Sequence, residues 1–514
     1  MFEFSGEKVY STLPAILMFI PFIAAIIAFY LIRLNRKAGE IFSVLTIAAI
    51  FVAIFSMYGV VRDGSVIFGR FHFLALPYSI YFRVDMLSFF LGLLAAFLWL
   101  LAAIHSIGYM ANEHAHDRYY SFLFIALGGC LGCIFAGDLL GLFVFFEIMA
   151  VSAYVLVAHE EHRYAMFAGA KYLFMSVGAG LAIFFSLVTT YYLSGGNISL
   201  NYFGMITENS PLAFFAFIGF MLGFGVKAGI FPVHIWLPDA HPAAPSPVSA
   251  LLSGIMIKVG AYGMIRVFYQ VYGFAFLQEV GWNKIGLVLA TITILIGSAL
   301  ALMQDDIKRR LAYSSVAQIG YVILGISMLS ELAFVGAIYH IFTHAFMKGA
   351  LFLIAGALIV QAGERRISRL GGVGRKMPLT MIAFTLCSLS MVGIPPFNGF
   401  VSKWQLALGA LEIGQPFFVV LLIVSSLLNS AYYFPIIVAA FFAKAPEDET
   451  GDGAVDTTSD SGHGGMRVKW QEAPLTMLIP IMLLAIGSIA FVLMPQNWPL
   501  EMVKVAVSEL FIRF

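Results

Sequence analysis

Charge is what this sequence has least of. Only 11% of its 514 residues are Asp, Glu, Lys or Arg, while 61% fall in the apolar set AVILMFWYC. A typical soluble domain carries about 25% charged residues. Too few charges remain to coat a water-soluble surface, so a soluble enzyme and a disordered chain are both excluded. Net charge is also nearly absent, at +1, which argues against a nucleic-acid partner, since that would need a basic face. Three cysteines are too few for a disulfide scaffold. Cys130 and Cys133 form a CxxC, but it lies within an apolar run and reads as a buried pair of small hydrophobes. No basic region precedes the first apolar block, so no cleavable signal peptide is expected.

What remains arrives in long apolar blocks, each near the roughly 20 residues that cross a bilayer as a helix. The chain is expected to be an all-α polytopic membrane protein with about fourteen transmembrane helices. These lie near 12–32, 40–61, 84–109, 120–137, 139–158, 164–193, 212–231, 247–271, 285–303, 311–327, 332–361, 378–410, 416–443 and 474–494. The segment 62–83, with Gly64, Gly69, Pro77 and alternating aromatics, reads as an extramembrane hairpin. Residues 444–473 read as a flexible polar loop, and 495–514 as an interfacial tail anchored by Trp498. Loops after odd-numbered spans hold sixteen Lys and Arg, against seven in the even loops and termini. The positive-inside rule then puts the odd loops in the cytoplasm and both termini outside.

Several charges stand where charge is expensive. Lys171, Lys227, Lys258, Lys348 and Lys403 lie inside apolar runs, with Glu147, His340 and His344; Arg266 lies near a span end. Five lysines and one glutamate at helix centres would cost on the order of 15 kcal/mol if left unsolvated. They are therefore expected to share a hydrated, protein-lined interior, which is the physical requirement of an ion pathway. His340, His344 and Lys348 recur at four-residue spacing, so they share a helix face. Each step rises about 6 Å, and water must bridge them.

Two of the lysines stand beside helix breakers. Lys227 begins KAGIFPVHIWLPDAHPAAPSP, and Lys403 follows GIPPFNGFVS. Such breaks survive in a bilayer only when buried in protein or lining water. They fall in spans seven and twelve, an odd offset that reverses orientation. That is the mark of inverted repeats, here spans 4–8 (residues 120–271) and 9–13 (residues 285–443). Residues 1–119 carry the three preceding spans, and 474–514 the last span and tail.

Five stretches, in order, resemble the antiporter-like subunits of respiratory complex I, the Mrp-type cation/proton antiporters and the membrane-bound hydrogenases. They are FVFFEIMAVSAYVL, GFGVKAGIFPVHIWLPDAHPAAPSPVSALLSGIMIKVGAYGMIR, DDIKRRLAYSSVAQIGYVILG, YHIFTHAFMKGALFLIAG and GIPPFNGFVSKW. The resemblance implies that Glu147 pairs with Lys227 and that Lys258 links two half-channels. It makes His344 a bridging histidine on a broken eleventh helix, flanked by His340 and Lys348, and Lys403 the terminal titratable group. Lys171 receives no step. His234 and Asp239 read as structural groups at a helix break, and Ser314 and Ser315 as helix-start and packing groups. The chain lacks the long lateral extension of the largest complex I homologue, which favours the shorter members.

The implied function is proton translocation along the Glu/Lys/His axis, coupled to redox chemistry or cation exchange in neighbouring membrane subunits. The rival is a self-sufficient Na⁺(K⁺)/H⁺ antiporter. No catalytic residue, cofactor, metal site or nucleic-acid contact is expected in this chain, although the parent complex would be a translocating oxidoreductase such as an NADH:quinone oxidoreductase. The partners expected are the bilayer, protons or Na⁺, and other membrane subunits of a respiratory, hydrogenase or Mrp-type complex. The expected location is a bacterial or archaeal inner membrane.

Overall fold

The computed structural model describes residues 2–3, 7–71, 80–443, 472–494 and 498–511. The expected loop 444–473 lies outside them except for its last two residues. The architecture is all-α apart from a few short strands. Twelve helices among the described residues are long and apolar enough to cross a membrane. Two further expected spans take other forms. Ile307–Ser327 is a continuous 21-residue helix that is not among the twelve, because Lys308, Arg309, Arg310, three serines and Gln318 dilute its apolar character. Residues 378–410 form two 15-residue helices, Pro378–Val392 and Asn398–Glu412.

Within the expected hairpin, Val66–Phe71 pairs antiparallel with Ile80–Val84, and Lys8–Tyr10 adds a parallel third strand. The tail forms a helix, Trp498–Phe511, and Trp498 Nε1 donates to Tyr58 Oη at 3.1 Å.

Helix starts follow local chemistry. Asp85, Asp138, Ser210, Asp306 and Ser330 each accept a backbone N–H three residues ahead, which satisfies a donor that the first turn leaves free. Glycine permits the closest packing. A Cβ on Gly297 would lie 2.6 Å from the Ala317 backbone nitrogen, so Asn283–Leu302 and Ile307–Ser327 touch almost backbone to backbone.

Two helices form the centre of the molecule. Ser246–Tyr272 is buried throughout its length and contains two wide π-turn segments, Leu252–Met256 and Val267–Tyr272. Glu331–Ala362 is buried from Ala333 to Leu358. This second helix runs unbroken for 32 residues, which corrects the break that the resemblance implies around His344. It has no Pro or terminating Gly between residues 331 and 362 to interrupt it. Outer helices such as Leu13–Leu34 and Phe417–Phe442 expose Ile23, Ile26, Val420 and Leu427, the surface expected against lipid.

Candidate functional site: a buried row of lysines and histidines

Both broken helices end in the same way. Pro211–Ala228 stops at Gly229, whose φ is +80°, and both Gly229 and Ile230 donate their N–H groups to the Gly225 carbonyl, at 2.9 and 3.1 Å. Pro378–Val392 stops at Gly393, φ +87°, and Gly393 and Ile394 donate to the Leu389 carbonyl, at 3.1 and 3.2 Å. Glycine supplies this left-handed turn without a steric penalty.

Each break stands beside a buried ammonium. Lys403 Nζ donates to the Met391 and Val392 carbonyls at 3.0 and 2.9 Å and to Ser426 Oγ at 2.9 Å. It therefore sits at the negative end of the first half-helix. Lys227 lies in the last turn of its own half-helix, and its Nζ donates to the Tyr172 hydroxyl. That hydroxyl, and not Glu147, is its direct partner. Glu147 is half-buried, its Oε1 has no hydrogen-bond partner among the described residues, and its carboxylate lies against Gly180, where a Cβ would come within 2.1 Å. The direct ion pair implied by the resemblance is thus replaced by a lysine–tyrosine bond with a carboxylate nearby. Nothing in a single sequence pairs residues 55 positions apart, so Tyr172 gives no signal there.

Lys258 lies midway along the central helix and is 1% exposed. Its Nζ donates to the Ser253 carbonyl in the first π-turn segment. Ser253 Oγ is 2.7 Å from Ser315 Oγ.

The second central helix presents His340, His344 and Lys348 in line. The two imidazoles stack with centroids 5.8 Å apart. His340 Nδ1 lies 2.9 Å from Ser402 Oγ, the residue before Lys403. Tyr321 touches both ends of that link: its ring meets His340 edge-on at 5.2 Å and lies 5.1 Å from Lys403 Nζ. Among the described residues, neither His344 nitrogen has a hydrogen-bond partner. Lys348 Nζ donates to the Leu311 carbonyl at 2.8 Å, to Ser314 Oγ, and to the Tyr433 hydroxyl at 3.2 Å. Ser314 therefore touches a lysine of the row, which goes beyond the packing role expected of it, whereas Ser315 bonds the Leu311 carbonyl and Ser253 Oγ. The signal that marks their helix is its many hydroxyls and amides in a membrane.

No carboxylate lies within 4 Å of Lys227, Lys258, Lys348 or Lys403 among the described residues. Carbonyls and hydroxyls solvate these amines instead. Carbonyls accept from either form, and a hydroxyl can donate to the lone pair of a neutral amine, so both protonation states can keep these contacts, the charged one more strongly. That is what a proton relay requires.

Two expected charges stand apart from the row. Lys171 Nζ pairs with Asp239 at 2.7 Å, and Arg309 reaches the same carboxylate at 3.3 Å, so Asp239 ties the broken segment to two other helices. Arg266 binds Asp85 through two bonds of 2.8 Å. Cys130 and Cys133 are buried inside the helix His116–Phe135.

Comparison with known proteins now has a geometry to attach to. Residues 136–429 match the family described as NADH:quinone oxidoreductase/Mrp antiporter, TM. The chain is 36% identical over 422 residues to NADH-quinone oxidoreductase subunit N of Desulforudis audaxviator, covering 80% of this chain and 81% of that protein. It is 31% identical over 339 residues to a Na(+)/H(+) antiporter subunit of Alkalihalophilus pseudofirmus, covering 65% of this chain and 68% of that one. Its structure is similar to a chain of the membrane-bound sulfane sulfur reductase, an archaeal respiratory membrane complex, with a TM-score of 0.84 at 26% identity over 97% of this chain and 98% of that one.

Proposed function

Because the chain belongs to the NADH:quinone oxidoreductase/Mrp antiporter transmembrane family, we propose that it is a proton-translocating, antiporter-like subunit of a multisubunit membrane complex. The observation that carries this reading is the set of buried titratable groups Lys403, His340, His344 and Lys348, with Lys258 and Lys227 buried on neighbouring helices. Redox chemistry or cation exchange elsewhere in the complex drives the protons. The relatives are named as subunits of larger assemblies, which speaks against the self-sufficient antiporter.

Glu147, Lys227, Lys258, His340, His344, Lys348 and Lys403 carry the protons. Lys227 exchanges between Tyr172 and Glu147. Held by the tyrosine it has a neutral partner; moved to the carboxylate it gains a countercharge that favours its protonated form. The matched breaks at Gly229 and Gly393 support two inverted five-helix repeats, at residues 120–271 and 285–443, within fourteen spans. The excess of Lys and Arg in the odd loops supports termini outside an inner membrane.

The test is translocation by the assembled complex with Lys227→Ala or Glu147→Ala. Both variants are expected to assemble and to lose pumping, followed as dye-detected acidification of inverted vesicles. Undiminished pumping in both would refute the assignment.

A further inference from the structure

The loop face that the basic-residue count assigns to the cytoplasm carries a cavity of about 380 Å³. Two acid–imidazole pairs stand at its rim. Glu113 Oε2 lies 4.0 Å from His114 Nδ1, and Glu160 Oε2 lies 3.6 Å from His162 Nε2. Burial, and then the neighbouring Glu160, push the Glu113 carboxyl above its ordinary value.

Two cations line the same cavity. Arg365 is committed elsewhere, to Asp306 at 3.2 Å and to the Pro242 carbonyl at 3.0 Å. Lys308 is different. It is 2% exposed, its Nζ donates to the Ala244 carbonyl, and no carboxylate lies within 4 Å of it among the described residues. It also occupies the first turn of Ile307–Ser327, the end of a helix that disfavours a cation.

Inward from Lys308, two groups of the polar row come close. Lys348 binds the carbonyl of Leu311, one turn further along the helix that carries Lys308, a rise of about 4.5 Å. His241, three residues before Ala244, is wholly buried, and neither of its ring nitrogens has a hydrogen-bond partner among the described residues. Its ring stacks on Phe352 at 4.6 Å, and Lys348 Nζ lies 6.0 Å from the same ring.

We propose that this cavity is a proton-loading vestibule, feeding the second half of the polar row directly through Lys308 and His241 to Lys348. The proposal rests on the functional reading above, and adds an intake that loads Lys348 in series with the Glu147–Lys227 step, so that pumping needs both. Neutral Lys308 takes a proton from the vestibule and, through intervening water, passes it to His241, which passes it on to neutral Lys348. Each transfer breaks one bond to hydrogen and makes one, so Lys308 and His241 return to their starting states and Lys348 ends protonated.

The rival role for Lys308 is structural. It holds a carbonyl just past the C-terminus of the short helix Leu237–Ala243, where a cation is favourable. Lys308→Arg separates the two roles, because arginine keeps the donor and the charge but does not give up its proton. The complex with Lys308→Arg is expected to assemble with unchanged thermal stability and to pump at least about tenfold more slowly. Pumping at the wild-type rate would overturn the proposal.

A second measurement covers a failure of that variant to assemble. His162→Cys is labelled after assembly with a cationic thiol reagent, and Lys37→Cys, exposed elsewhere on this face, serves as the control. Cys130, Cys133 and Cys387 are buried, which protects them from the reagent. Labelling is expected to slow pumping at 162 and not at 37; equal effects overturn the vestibule. Lys227→Ala in the same vesicles distinguishes the two failures. If it alone abolishes pumping, the vestibule falls and the functional reading stands; if none of these changes slows pumping, the functional reading itself falls.

Discussion

At the scale of single residues, the lysines of this row are held by neutral oxygen atoms. That arrangement solvates an ammonium without fixing it, because an adjacent carboxylate would hold the proton more tightly. Tyr172 is the sharpest instance. Its hydroxyl receives Lys227, its ring lies 5.0 Å from the same Nζ, and Trp236 packs on it at 4.8 Å to fix the ring. Tyr172→Phe keeps the ring and removes the only direct hydrogen-bond partner of Lys227 among the described residues. The complex is expected to assemble normally, with pumping down by about one to two orders of magnitude, as for a lost positioned proton-transfer partner. Vesicle acidification rates measure this. A wild-type rate in Tyr172→Phe would mean that the Lys227–Tyr172 bond has no part in transport.

At the scale of elements, the helix breaks position the chemistry. Gly393 has φ +87°, and a Cβ there would lie 2.9 Å from Lys403 Cδ. Gly363, at the end of the second central helix, has φ +69°, and a Cβ there would point into open space. Alanine at either site should cost about 1–2 kcal/mol of stability for the left-handed backbone. Only Gly393→Ala also displaces Lys403, so the two variants should show similar losses in thermal unfolding but different transport rates. Equal transport in both would mean that the break does not set the position of Lys403.

The same elements explain what can be read from the sequence. Apolar runs and Gly/Pro clusters are local signals, so the helices and both breaks are visible, as are the lysines that such runs should not contain. The helix Ile307–Ser327 is visible as a span, but the role of its serines is hidden, because a hydroxyl gains meaning only from the lysine that reaches it. Lys348 reaches Ser314 from 34 residues away, and Arg266 reaches Asp85 across 181. Contacts of this kind are set by packing and leave no periodicity behind. The eleventh helix goes the other way. Its expected break rests on resemblance alone, no Pro or Gly/Pro cluster in 331–362 supports one, and the helix is continuous.

At the scale of the whole molecule, one buried cluster joins parts that are distant in sequence. Asp85, at the start of the helix Met86–Tyr109, receives Arg83 at 2.5 Å and Arg266 through two bonds of 2.8 Å. Arg266 also donates to Tyr262 at 2.9 Å and to Ser88 at 2.7 Å. The cluster clamps the strand Ile80–Val84 to the central helix that carries Lys258 two turns away. Burial opposes the charge on Asp85, but Arg266 and Arg83 together outweigh it and hold the carboxyl far below the usual carboxylate range. A depressed carboxyl contributes stability that is complete above its unfolded value, near 4, and lost only as pH falls through the lower folded value. Asp85→Asn takes from buried Arg266 its carboxylate partner and should cost about 3–5 kcal/mol. Because Asp85 stays ionised throughout, the deficit in melting temperature should be the same at pH 8, 7 and 5, and should narrow only in stronger acid. A deficit that shrank between pH 7 and pH 5 would place the titration of Asp85 in that window and contradict the clamp.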